Sequence, residues 1–216
     1  MNMKIRPILI AALMLMLCGC SSMYYDTMEK IGVHKRDIMV DRIKEAREAQ
    51  NETKKQFVTA MEQFKSVVNF KGADLEKEYN KLNSALKKSE AKAEEVRSRI
   101  SAVEDVSEAL FDEWRAEIKQ YSNDALRRSS QKKYDLTRKR YALLIKAMKR
   151  AEAKLEPALI PLRDKVLFMK HNLNARAIAG LSSEVVRVQA NVDRLVKDME
   201  TAIAEADSFI KTLQSE

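Results

Sequence analysis

The chain is poor in residues that end helices: 216 residues hold only 4 glycines and 3 prolines. A sheet protein of this length needs many tight turns, which those residues supply, so the composition argues against an all-β fold. Metal-binding side chains are equally scarce, with 2 histidines and 2 cysteines. Structural zinc gathers four such ligands at one point, and His34 and His171 lie far apart in the chain. No metal and no cofactor are expected. Neither a glycine-rich phosphate loop nor a nucleophile elbow is present. Carboxylates at helical spacing, such as Glu45 and Glu48, are common in a chain that is 33% charged, and they read as solvated faces. No catalytic residue is assigned, and no enzyme is expected.

What is abundant is charge beside aliphatic carbon. Hydrophobic residues make up 45% of the chain, but aromatics only 6%. That mixture suits helices with a narrow apolar stripe and a wide polar face. A first helix is expected from about Arg36 to Phe70, with a seam of Ile43, Ala46, Gln50, Thr53, Phe57, Met61, Phe64 and Val68. The polar centre at Gln50 and Thr53 predicts loose packing there. A second helix starts near Ala73. Its seam of Leu75, Tyr79, Leu82, Leu86, Ser89, Ala93, Val96, Ile100 and Val103 alternates by four and three, the spacing of a coiled coil. The same phase reaches Leu110, Trp114 and Tyr121, with weak positions at Ser107 and Glu117. The sequence allows this helix to run to Tyr121 or to bend near Ser101 to Ser107.

Ser122-Asn123-Asp124 is a cap signal. The third seam is Tyr134, Thr137, Tyr141, Leu144, Met148, Ala151 and Leu155, interrupted or kinked by Pro157 and Pro161. Ala158 to Ala179 reads as helical with Ile160, Val166, Leu167, Leu173 and Ile178, and Gly180 marks a boundary. The last seam, from Leu181 through Val185, Val188, Val192, Leu195, Met199, Ala202, Ala206 and Phe209 to Leu213, is unbroken. Helices this long pack side by side. The expected fold is all-α: an elongated antiparallel helical bundle or coiled coil with long helices.

The first residues have a different character. Lys4 and Arg6 precede a ten-residue apolar run, Ile8 to Leu17, too short to span a bilayer comfortably and of signal-peptide length. Leu17-Cys18-Gly19-Cys20 follows and resembles the bacterial lipobox. Cleavage between Gly19 and Cys20 would free the Cys20 amine, and the thiol would take a diacylglyceryl group. Two or three acyl chains, such as palmitate, hold a protein durably where one holds it marginally. The expected organisation is residues 1–19 as lipoprotein signal peptide, 20–35 as lipidated N-terminus and tether, and 36–216 as one elongated helical domain. Tyr24 and Tyr25 suit either lipid headgroups or the bundle end. No aspartate follows Cys20 by two positions; Ser22 stands there. In enteric lipoproteins that favours the outer membrane, facing the periplasm.

Two stretches are candidate sites. Arg127, Arg128, Lys132, Lys133, Arg138, Lys139 and Arg140 crowd cations against one acid, Asp135. A signal segment argues against nucleic acid, which leaves anionic envelope polymers or lipids as partners for a basic face. Tyr134 and Tyr141 within it fit the apolar seam. Lys170, His171, Asn172, Asn174 and Arg176 set polar groups beside core positions, as a capped bundle end or a partner site would.

The Leu-Cys-Gly-Cys start, the proline-spaced Leu155 to Arg163, the run Phe168-Met169-Lys170-His171-Asn172-Leu173-Asn174-Ala175-Arg176-Ala177 and the final Ile203 to Ile210 together resemble a family of proteobacterial lipoproteins defined as a domain of unknown function. The resemblance implies an exported all-helical protein and carries over no catalytic or binding residue. The reading is a lipid-anchored envelope protein with a structural or adaptor role, partnered by the membrane and by a second copy or an envelope protein. The alternative is a module that binds anionic polymers or lipids.

Overall fold

The structure is a computed structural model and describes residues 24–25, 27–29, 32–72 and 74–215. Residues 1–23 lie outside it, and with them the expected signal segment, Gly19 and Cys20. Among the described residues there are six helices longer than one turn and no strand: α1 Lys35–Val68, α2 Leu75–Ile118, α3 Asp124–Glu152, α4 Leu155–His171, α5 Ala175–Ala179 and α6 Ser182–Ser215. The expected all-α bundle is what the chain forms.

Four rods run up and down in turn. Glu45 meets Arg99 at 2.9 Å, and Ser66 donates to Glu78 at 3.4 Å, so α1 and α2 are antiparallel. Arg47–Asp207 at 2.7 Å and Lys54–Glu200 at 3.3 Å set α6 antiparallel to α1. The third rod is α3 followed by α4, and it packs against α2 and α6. Along the α2 flank, Lys149 meets Glu104, Glu156 meets Arg97 and Arg163 meets Glu90, at 2.9, 2.8 and 2.8 Å. Each step of seven up the third rod is a step of seven back down α2. The turn at Ala153 and Lys154 interrupts the helix without losing its register.

The prolines explain how that interruption is tolerated. Pro157 sits in the first turn of α4, where a backbone N–H would be unpaired anyway. Pro161 lies inside α4 and cannot donate to the carbonyl of Pro157, four residues back. The Asn191 side-chain amide of α6 donates to that carbonyl at 2.9 Å. A second amide thus replaces the one the proline lacks, and the Arg194 guanidinium holds Asn191 through its Oδ1 at 2.6 Å.

The expected seams of α1 and α6 are buried as read, apart from a half-buried Val185 at the start of α6. Gln50 and Thr53 are no loose centre: both are fully buried. Thr53 donates to the carbonyl of Lys92 at 3.2 Å, but neither polar atom of the Gln50 amide has a partner among the described residues. The second helix runs unbroken past Ser101 to Ser107 and ends at Ile118. Its seam shifts at Ser107, after which Phe111 and Ile118 are buried while Glu117 and Tyr121 are exposed. In α4 the buried residues are Leu155, Ala158, Leu159, Leu162, Val166 and Met169. Ile160, Leu167 and Leu173 are exposed: the third seam carries its spacing of three and four through Leu155 to Leu159, Leu162, Val166 and Met169, and these three stand off that face. The helix also stops at His171, short of the expected continuous run to Ala179.

Burying an amide without a partner costs roughly 1–3 kcal/mol. Gln50→Met keeps the shape and removes that penalty, so it should raise stability by about 1 kcal/mol or more in chemical denaturation. A loss of stability would show that the amide is hydrogen-bonded in solution.

Candidate functional site

One end of the bundle gathers most of the unusual chemistry. The start of α1, the end of α2, the start of α3 and the end of α6 all lie there. Lys35 of α1 pairs with Glu113 of α2 at 3.0 Å. Arg36 donates to the carbonyl of Leu213 in α6. Trp114 Nε1 of α2 donates to Ser130 of α3 at 2.9 Å.

The segment before α1 is strapped to this end. Gly32 has φ +86°, the left-handed region that glycine enters without strain. Its N–H donates to Glu29 and the Val33 N–H to Met28, at 2.9 and 3.0 Å, so the chain reverses there. Lys35 is 6% exposed and holds Glu29 at 2.9 Å as well as Glu113. Burial pulls the Lys35 ammonium down, but the hydrogen bonds to Glu29 and Glu113 outweigh it and its pKa rises. Hydrogen bonding to Lys35 lowers the Glu29 carboxyl, while burial raises that of Glu113. Tyr25 is buried, and burial followed by the charge of Asp105 pushes its hydroxyl up, with Arg42 opposing. Asp105 and Arg42 belong to α2 and α1, so the strap folds back along the groove between them. Residues 20–35 were read as a tether; its described part is fastened to the bundle. Tyr24 stays exposed, with its ring edge-on to Tyr25 at 5.3 Å.

An aromatic cluster closes the same end. Tyr134 meets Phe111 and Trp114 edge-on, each at 5.7 Å, and Tyr141 lies 5.4 Å from Phe111 and 6.4 Å from Phe209. Both tyrosines serve packing, as their seam positions imply. A cleft of about 190 Å³ opens beside the cluster, lined by Arg36, Leu110, Glu113, Trp114, Glu117 and Leu213. Small-molecule sites run to roughly 300–1,000 Å³, so this cleft is too small for one.

The basic stretch lies on the outside of α3. Arg127, Arg128, Lys132, Lys133, Arg138, Lys139 and Arg140 are all exposed. They are not equivalent. Arg127 pairs with Asp124, and Arg138 donates to the Tyr134 hydroxyl at 2.7 Å. Arg128, Lys132 and Lys139 line a shallow surface with Leu136. The other candidate site is at the opposite end. Asn172 donates to the carbonyl of Phe168, and Asn174 caps α5 by accepting from Ala177, both at 2.9 Å. The two asparagines therefore close helix ends, while Lys170, His171 and Arg176 are exposed beside them. His34 precedes α1 at the strap end, so the two histidines sit at opposite ends of the bundle. Among the described residues, no three His, Cys, Asp or Glu side chains are placed to share a metal ion. No described helix is long and apolar enough to cross a membrane.

This fold, a four-rod bundle with a strapped end, defines the class. The chain belongs to the family of proteins of unknown function DUF2959, whose family model matches residues 24–213. Neither the curated proteins nor the solved structures contain a match to it. Sequence reasoning missed the strap, because Lys35 and Glu113 are 78 residues apart. Locally Lys35 is one of two adjacent cations, with Arg36, in a polar run from His34 to Asp37, and nothing there marks it as buried.

Lys35→Met would leave Glu113 half-buried without its cation. Stability should fall by about 2 kcal/mol, the scale of a hydrogen bond to a charged group. Acidification should also loosen the strap through Glu29. Glu29 has a lowered pKa in the folded chain, so its contribution is complete above the ordinary carboxylate range and is lost as pH falls through the lowered value. Hydrogen exchange of residues 27–40 reads both. Unchanged protection in Lys35→Met would contradict a fastened strap.

Proposed function

We propose that this chain is a lipid-anchored protein of the bacterial cell envelope, held in the outer membrane and facing the periplasm. Its role is structural or adaptor-like: a helical spacer whose surfaces engage an envelope protein or a second copy. The order of Lys4 and Arg6, the apolar run Ile8 to Leu17 and Gly19-Cys20 carries the anchoring part. The strap carries the spacer part. It begins at Tyr24, four residues after Cys20, so an acylated Cys20 would sit within about 14 Å of the bundle. The rods themselves are long: α1 has 34 residues, about 51 Å of helix. Such a bundle projects a surface well beyond a headgroup layer.

A second reading, binding of anionic envelope polymers or lipids, is supported by the outward face of α3. Exposed Arg128, Lys132 and Lys139 alternate there with exposed Leu136 and Leu143. Nucleic acid is not a partner in either reading, because the proposed address is outside the cytoplasm.

Intact mass measurement on protein extracted from membranes tests the anchor. The expected N-terminal residue is Cys20 carrying acyl chains, with residues 1–19 gone, and Cys20→Ser should accumulate uncleaved. An unmodified Cys20 behind an intact N-terminus would overturn the reading.

A further inference from the structure

The corner between α2 and α3 stands at the strapped end, and its composition is unlike the rest of that end. Every residue from 121 to 129 is exposed. Two of them are large and apolar: Tyr121 is 39% exposed and Leu126 56%. Around them the span 119–133 holds Lys119, Arg127, Arg128, Lys132 and Lys133 against one acid, Asp124. Asp124 is already engaged by Arg127. The corner cannot swing away from the bundle end, because Asn123 caps α3 by accepting from Ala125 and Leu126, and Trp114 is tied to Ser130.

Height along α3 divides the basic stretch. At 1.5 Å per residue, Arg127 and Arg128 lie about 6 Å from the start of α3 and Lys132 and Lys133 about 13 Å. Lys139 and Arg140 lie about 23 Å away. A field at the bundle end decays over roughly 8–10 Å, so only the lower cations feel a charged surface there. A tyrosine with a polar tip, an exposed leucine and a ring of cations are what a headgroup layer accommodates.

We propose that the α2–α3 corner is a second membrane contact. Lys119, Arg127 and Arg128 meet the phosphates of an anionic phospholipid surface, and Tyr121 and Leu126 enter the layer beneath. This rests on the reading of Cys20 as a lipid anchor, because both contacts then lie at one end of the bundle. An acyl anchor fixes position but not orientation. Two contacts at one end hold the bundle upright, with the turns at 69–74 and 172–181 about 65 Å or more from the surface. Each cation near an anionic leaflet strengthens partition by about fivefold.

The test uses the full acylated chain reconstituted into vesicles of phosphatidylcholine, with or without phosphatidylglycerol. A dye is placed by Ser122→Cys at the corner or by Lys71→Cys at the far end, and nitroxide headgroups quench it. Quenching at 122 should exceed that at 71 several-fold. It should rise when phosphatidylglycerol is present and fall several-fold in Lys119→Gln/Arg127→Gln/Arg128→Gln, whose exposed sites leave the fold intact by circular dichroism. Equal quenching at the two positions overturns the proposal. So does quenching at 122 that ignores both lipid charge and the triple substitution. The mass of Cys20 reads the anchor separately. If Cys20 is unmodified, the anchor reading fails, and flotation of that chain decides the corner. Flotation with phosphatidylglycerol that the triple variant abolishes supports the proposal, and absence of flotation overturns it.

Discussion

The fold depends on the register between α2 and the rod beside it. A helix of 44 residues is longer than a small bundle needs, and it serves as the rail on which the others are set. The third rod is broken, yet its cations and acids meet α2 at intervals of seven on both sides of the break. Exposed ion pairs contribute little energy individually. Their regularity reports the packing beneath, where Ala93, Val96, Ile100 and Val103 of α2 are fully buried, as are Leu144, Met148, Ala151 and Leu155 of the rod. Because these residues interlock, a turn at 153–154 and a proline at 161 are absorbed locally. Asn191 completes the repair by pairing the carbonyl that Pro161 leaves open.

The two ends of the bundle are chemically different. At one end the loops are closed by short-range caps, with Asn172 and Asn174 holding backbone groups within a turn of themselves. At the other, contacts join residues far apart in sequence: Lys35 to Glu113, Arg36 to the carbonyl of Leu213, Tyr141 to Phe209. Fixing that end costs more chain entropy, offset by the pairing of Lys35 with Glu29 and Glu113 and by burial of Tyr25 and the aromatic cluster. The end where a proposed lipid anchor leaves the chain is therefore also the most firmly tied.

Local pattern carried much of this and missed specific parts for physical reasons. The last helix was legible because its seam from Val188 to Leu213 has no interruption and the core it meets is straight. The α2 seam was legible up to Ser107. Beyond it, Phe111 competes with Leu110 for the core, and a strict alternation of four and three misplaces Tyr121. In α4 the seam of α3 continues through Leu155 to Leu159, Leu162, Val166 and Met169, and Ile160 and Leu167, apolar by composition, lie off it. The basic stretch was visible as composition, but composition has no height, and only the bundle separates Arg127 and Arg128 near its end from Lys139 and Arg140 further up. The strap depended on a contact across most of α1 and α2, which no local window contains.

The central claim is that α2 is one unbroken rail separating a strapped end from a capped one. Spin labels at Lys71 and Ser122, just beyond the two ends of α2, measure this directly by double electron–electron resonance. Forty-four helical residues span about 66 Å, so a single narrow distance near that value is predicted, together with a short distance for labels at His34 and Ser122. A Lys71–Ser122 distance shortened to about half, as a helix folded back near Ser101 to Ser107 would give, would contradict the account.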